Sequence, residues 1–359
     1  MDTNTVPLSP APLDDTADET TELYEHHHIV VDPGQTPDRL DRFLTLRLAG
    51  ISRNKVQAAA KADCILVNGR PQRSSYKVKP SDTISVLLPT PVHETEILPE
   101  PIPLTFVYED DDVAVVNKQA GLVVHPGVGN YTGTLLNGLA HYYQGRTGRD
   151  GKPISTFLVH RIDKDTTGLL LVAKTEEAQA ALAKQFYEHT IERKYNALVW
   201  GDFDEERGTI DGNLGRSARD RRVMTVYDDP QMGKHAVTHW HVCERFGYVT
   251  LADCVLETGR THQIRAHMRH IGHPLFNDAT YGGDQILKGT TFSKYKQFVI
   301  NCFKLLPRQA LHAAVLGFEH PTTHEHLHFE APLPDDMSAV LEKWRRYTVA
   351  SREADWLRD

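Results

Sequence analysis

Apolar and polar positions follow two rhythms along this chain. Leu40, Phe43, Leu44 and Leu48 recur at helical spacing behind Asp38, which this reading makes an N-cap, and Ser52 opens a second helix over 53–62. Ile65, Leu66 and Val67 then read as a strand entering the turn Asn68-Gly69, and residues 83–87 alternate toward another. Beyond residue 104 the rhythm is mostly strand-like, with strands predicted at 113–116, 122–124, 194–201, 237–243, 248–256, 311–318 and 325–331. Helices are predicted at 134–143, behind Thr175, behind Thr261 with Ile264, Met268 and Ile271 on the core side, and at 337–347. Hairpins outnumber strand–helix alternations. The expected class is therefore α/β in the α+β sense: a small α/β module, then a larger unit on a mixed, largely antiparallel sheet.

One stretch breaks this economy. Residues 155–174 run S-T-F-L-V-H-R-I-D-K-D-T-T-G-L-L-L-V-A-K, two apolar strands around a charged loop. Packing needs no charge there, since Asn-Gly or Asp-Gly makes the simplest hairpin turn. His160, Arg161 and Asp163 at a core edge read as a site, against the plainer reading of a solvated Arg–Asp pair.

Composition sets the boundaries. At 359 residues, 40% hydrophobic and 25% charged, the chain can bury a large core in two folding units. It has no apolar run long enough for a membrane span and no basic-then-apolar start of a secretory signal. Cys64, Cys243, Cys254 and Cys302 are far apart, so free thiols in a reducing cytoplasm are expected. The net charge of −8 hides an asymmetry: residues 1–38 hold nine acidic and no basic side chains, whereas 39–79 hold ten Lys or Arg against Asp41 and Asp63. A basic module beside an acidic tail suits a polyanion, although a solvated surface would read the same on charge alone. The expected organisation is a disordered tail at 1–28, a basic module at 29–89, a proline-rich linker at 90–103 and a large unit at 104–350.

The candidate chemistry is one well-placed acid among arginines. His235, His239, His241, His262, His267, His270 and His273 tempt a metal reading, but they lack Cys or carboxylate partners at tight spacing, and no metal ligand is assigned. A hydrolytic glycosidase needs two carboxylates; Asp165 is either the second or the cap of the Thr166-Thr167-Gly168 turn. A single ionised carboxylate held by arginine suits attack on a sugar or base carbon without water. Arg265 and Arg269, four apart on one helix face, call for an anion beside them. Arg216, Arg219, Arg221 and Arg222 form a loop that suits phosphates or plain solvation equally.

Two resemblances sharpen this. R-L-D-R-F-L, I-S-R-N-K-V-Q, I-L-V-N-G-R-P and Y-K-V-K-P-S-D-T-I, over about 38–88, resemble the S4 RNA-binding domain and imply that Arg39, Arg53, Lys55 and Arg70 meet RNA. H-R-I-D-K-D-T-T-G-L-L-L-V-A-K resembles the central motif of RluA-type pseudouridine synthases. N-K-Q-A-G-L-V-V-H-P-G, R-K-Y-N-A-L-V-W-G, G-K-H-A-V-T-H-W, E-T-G-R-T-H-Q-I-R-A-H-M-R-H-I-G-H-P-L and R-Q-A-L-H-A accompany it in the family's order.

The resemblance implies that Asp163 attacks a flipped uridine, at C1′ or at the base ring, that Arg265 pairs with it, and that Tyr195 stacks on the base and helps move a proton. It implies that Arg161 fills the vacated stack, with His160 and Arg260 at the RNA. It further implies large-subunit (23S-type) ribosomal RNA as partner and no cofactor; a monomer in the cytoplasm is expected. Phe276-Asn277 departs from the family's usual smaller residues and is expected at the pocket rim, away from the chemistry. A non-catalytic RNA-binding or ribosome-assembly protein is the alternative, which the intact Arg161, Asp163, Tyr195 and Arg265 set disfavours.

Overall fold

The computed structural model describes residues 24–356 except 49–51, 62–63, 89–96, 128–129, 221 and 230. These fall into two compact units, one ending at Glu96 and the other beginning at Ile97.

The smaller unit runs β1 (Tyr24–Val30), β2 (Asp38–Arg39), α1 (Leu40–Arg47), α2 (Arg53–Lys61), β3 (Ile65–Val67), β4 (Arg70–Pro71), β5 (Lys77–Val78) and β6 (Thr83–Leu88). Four strands pair in the order β1-β6-β3-β4, and Leu40, Phe43, Leu44 and Val56 pack with Ile65, Val67, Ile84 and Val86. The disordered tail expected over 1–28 is therefore corrected from Tyr24 onward, because β1 pairs antiparallel with β6, Ile29 against Ile84. Residues 1–23 lie outside the described part. Asp38 is not the helix cap either: it lies in β2, and the cap position is Arg39, which makes no side-chain cap bond.

The larger unit is built on an 11-stranded sheet. Its elements are β7 (Thr105–Glu109), β8 (Val113–Lys118), α3 (Leu135–Tyr143), β9 (Phe157–Leu158), β10 (Thr167–Ala173), α4 (Glu176–Tyr187), β11 (Glu192–Trp200), β12 (Arg207–Arg216), β13 (Met224–Tyr227), β14 (Lys234–Arg245), β15 (Val249–Leu256), α5 (Gln263–His270), α6 (Ser293–Leu305), β16 (Leu311–Glu319), β17 (His326–Glu330) and α7 (Asp335–Trp356). Strand order is β13-β12-β14-β15-β11-β16-β10-β8-β7, with β17 on β16 and β9 on β10. Among the described strands only β10 and β16 run parallel, at Thr167 opposite His312 and Gly168 opposite Ala313. Side-chain alternation splits the core: Tyr195, Ala197 and Val199 face a cluster holding α3, Ile162, Ile264 and Met268, while Leu198 and Trp200 face α6 and α7. Tyr195 thus lies on the sheet face that also receives α5.

Three local expectations change. Residues 122–124 form only a bridge, Val123 to Thr134, because Thr134 caps α3 there. Helix α5 starts at Gln263, with His262 rather than Thr261 at the cap position, in left-handed backbone (φ 52°). The described part of the expected linker, 97–103, has no regular element but is fastened to α3: Asn137 Nδ2 donates to the Leu98 carbonyl, and the Glu100 N–H donates to the Asn137 carbonyl.

Candidate active site

The loop between β9 and β10 is tied down through its backbone. Lys118, buried at the end of β8, donates from Nζ to the carbonyls of Gln119, Leu122 and Lys164 at 2.9, 2.9 and 2.7 Å. Arg308 donates from Nη1 to the Asp165 carbonyl at 3.1 Å while its other nitrogens grip Asp336 at 2.8 and 2.9 Å. The Thr166 N–H closes a turn on the Asp163 carbonyl at 3.1 Å. Two cations thus hold successive carbonyls with charge-assisted bonds, about twice as strong as neutral ones.

Gly168 fixes where the loop rejoins the sheet. Its φ is +111°, and a Cβ would lie 2.2 Å from the Ala313 carbonyl oxygen. Only glycine permits this approach of β10 to β16.

The loop presents Asp163, whose side chain is 17% exposed. Arg265 on α5 donates from Nη1 to Asp163 Oδ2 at 3.0 Å. The same guanidinium is held bidentately by Asp278, Nε to Oδ2 at 2.7 Å and Nη2 to Oδ1 at 2.9 Å, and lies over the Tyr281 ring, 5.0 Å from its centroid. His262 Nε2 lies 3.9 Å from the same Oδ2. Among the described residues nothing hydrogen-bonds Asp163 Oδ1. Burial alone would raise the Asp163 carboxyl, but the charges of His262, Arg265 and Arg161 outweigh it and hold it below the usual carboxylate range. The expected pairing of Asp163 with Arg265 is present.

The Tyr281 hydroxyl accepts from the Met224 N–H at 2.9 Å and lies 3.1 Å from His262 Nδ1. Burial lowers His262 from its ordinary value, against the pull of the Asp163 charge. The arrangement that suits the nearby carboxylate has Tyr281 donating to Nδ1 and His262 carrying its proton on Nε2, toward Asp163.

Tyr195, 7% exposed, comes from β11 on the same side of the sheet. Burial, Arg193 and Asp163 act on its phenol in that order; Arg193 opposes the other two, and the net shift is upward. Tyr195 is therefore a neutral phenol within electrostatic reach of the carboxylate.

Other expected residues separate. Arg161 is exposed beside Asp163. His160 does not face outward: its Nε2 accepts from the Leu171 N–H at 2.8 Å, its ring stacks on Phe186, and burial lowers it to about 3. Arg260 is exposed, its Nε donating to the His235 carbonyl at 3.2 Å. Asp165 contributes its carbonyl; among the described residues its carboxylate caps nothing. Phe276 is fully buried against Trp200 and Trp344, so the rim reading is corrected, and Asp278 two residues on does touch the chemistry through Arg265. The anion expected beside Arg265 is the protein's own.

In the smaller unit, Asp41 is fully buried and accepts from Arg39, Arg53 and Gln57, so two of the expected RNA-facing arginines are anchored there with about half of each side chain still exposed. Arg70 is exposed on β4, and the side chain of Lys55 lies outside the described part.

The sequence is similar to known families over both units. The family model described as RNA pseudouridylate synthase matches residues 112–270, and the S4 domain model matches 38–84. An uncharacterized RNA pseudouridine synthase of Chlorobaculum parvum is 47% identical over 324 residues, covering 89% of this chain and 97% of that one. The ribosomal large subunit pseudouridine synthase D of Zymomonas mobilis is 41% identical over 308 residues, covering 85% and 93%. Among solved structures, human RNA pseudouridylate synthase domain containing 4 matches with a TM-score of 0.51 at 22% identity over 67% of this chain and 93% of that one, a likeness of fold. With the S4 model on the smaller unit and the synthase model spanning Asp163, Tyr195 and Arg265, this chain belongs to the RNA pseudouridine synthase family.

Proposed function

We propose that this enzyme converts uridines of large-subunit ribosomal RNA to pseudouridine, with Asp163 as nucleophile. The observation that carries the reading is the one-sided hold on Asp163. Arg265 binds Oδ2 and His262 stands beside it, so Oδ1 is the attacking oxygen. A carboxylate kept ionised by a fixed guanidinium is a nucleophile needing no proton removal at neutral pH. Oδ1 bonds to C1′ as the N1–C1′ bond breaks, or adds to the base ring before that bond breaks; the base turns, C5 bonds to C1′, the carboxylate leaves the carbon it attacked, and C5 loses its proton.

Extruding the nucleotide costs a few kcal/mol. Tyr195 offers a ring to stack on it, and exposed Arg161 reaches the gap left behind. The large-subunit assignment rests on relatives such as the Zymomonas mobilis enzyme, whose name carries that substrate. Arg39, Arg53, Lys55 and Arg70, within the smaller unit that starts with β1 at Tyr24, supply RNA-backbone contacts for the catalytic unit that begins at Ile97. The enzyme works as a monomer in the cytoplasm. Among the described residues no helix is long and apolar enough to cross a membrane.

Mapping pseudouridines in ribosomal RNA from cells lacking this protein tests the assignment. Loss of sites in the large-subunit RNA, restored by the wild-type gene, is expected; an unchanged large-subunit map beside lost transfer-RNA sites would redirect it.

A further inference from the structure

Edge strand β17 reads H-L-H-F-E and turns His326, His328 and Glu330 to solvent, while Leu327 and Phe329 pack inward. Register sets His328 opposite Gly317 of β16, and Gly317 opposite Glu192 of β11. The three positions form one row across three strands, with no side chain in the middle. A Cβ on Gly317 would come 2.7 Å from Glu192 Oε2 and 3.4 Å from His326 Nε2, so the bare glycine is what lets these groups converge.

His328 Nδ1 lies 3.1 Å from Glu192 Oε2, and the ligand atoms of Glu192, His326 and His328 are all within 4.8 Å of one another. Ligands about 2 Å from a tetrahedral zinc ion stand roughly 3.3 Å apart, so small side-chain rotations would gather this set. The second nitrogen of His328, Nε2, lies 3.4 Å from Glu330 Oε1. With Nε2–H donated to Glu330, the Nδ1 lone pair faces Glu192. A carboxylate behind an imidazole is how metal-binding histidines are oriented.

We propose that Glu192, His326 and His328 bind a zinc-type divalent ion, with Glu330 orienting His328. Two imidazoles and one carboxylate with open positions suit a borderline first-row cation. The ion fastens β17, which pairs only with β16 among the described strands, across Gly317 to β11. Its effect is on stability, since none of these residues belongs to the loop that carries Asp163.

The test uses untagged, metal-stripped full-length protein in which His26, His27 and His28 are replaced by alanine, so that the N-terminal histidines cannot bind. Calorimetric titration with zinc and visible absorption with cobalt should show one equivalent bound, and zinc should raise the melting temperature. His328→Ala should abolish both signals, Gly317→Val should abolish binding by filling the row, and Glu330→Gln should weaken it about tenfold. Pseudouridine formation should be the same in the parent and in His328→Ala, which also shows that the variant is folded. Equal stoichiometry and affinity in the parent and His328→Ala, or no cobalt bands in the parent, would overturn the proposal.

Discussion

Asp278 holds Arg265 by two bonds, 2.7 and 2.9 Å, and thereby leaves one guanidinium nitrogen, Nη1, to meet Asp163 at 3.0 Å. The arginine is a rigid bridge between two carboxylates and not a flexible counter-ion. Asp278 is 1% exposed, so the pair it forms is buried.

Asp278→Ala should therefore cost both stability and activity. Removing one partner of a buried ion pair typically costs about 3–5 kcal/mol. Denaturant unfolding should show a loss of that order, and turnover should fall more than RNA affinity does. Asp278→Asn, which keeps one acceptor, should fall between. A fully stable, fully active Asp278→Ala would mean that Arg265 needs no anchor.

His262 is expected to act on Asp163 through its Nε2–H. The 3.9 Å separation is longer than a hydrogen bond; a donor that closes on the carboxylate in the transition state contributes about 1.4 kcal/mol, or tenfold in rate. His262→Phe should lower kcat about tenfold with KM nearly unchanged, and His262→Gln, which keeps an N–H donor, should recover part of the loss. If glutamine is no better than phenylalanine, the N–H is irrelevant.

Gly168→Ala places a methyl 2.2 Å from the Ala313 carbonyl oxygen in backbone at φ +111°. Strained backbone of this kind costs about 1–3 kcal/mol before the clash is counted. Thermal unfolding should show a clearly lowered melting temperature; an unchanged one would mean that β10 and β16 can part without cost.

The fold should weaken in mild acid through His160. Its folded value of about 3 lies below its ordinary 6.5, so between these limits the unfolded chain binds the extra proton. The stabilisation is complete above about 6.5 and is lost as pH falls toward 3. Replacing the ring by His160→Gln should flatten the decline of melting temperature between about pH 7 and pH 5. An identical slope in both proteins would place the acid sensitivity elsewhere.

The sequence revealed the elements and the two halves of the site better than it revealed what holds them. Asp163 stood out because a charged loop between two apolar strands has no packing reason, and Arg265 because two arginines one helical turn apart need an anion. Asp278 stayed hidden: it lies four residues after Pro274 in a loop that folds back, and periodicity describes single elements without their returns. Lys118 and Arg308 act on backbone carbonyls, which no side-chain pattern announces. Strand β1 escaped notice because its acidic, histidine-rich sequence lacks alternation, and its pairing comes from β6, distant in sequence. Asp41 looked like a minor charge in a basic module, yet burial makes it the anchor of Arg39 and Arg53.

The measurement closest to the centre of this account is single-turnover pseudouridine formation by Asp163→Asn on uridine-containing ribosomal RNA, with RNA binding measured in parallel. The amide keeps the shape and removes the nucleophile. Binding near the wild-type level with no pseudouridine formed is the predicted result; measurable conversion by the variant would contradict Asp163 as the attacking group.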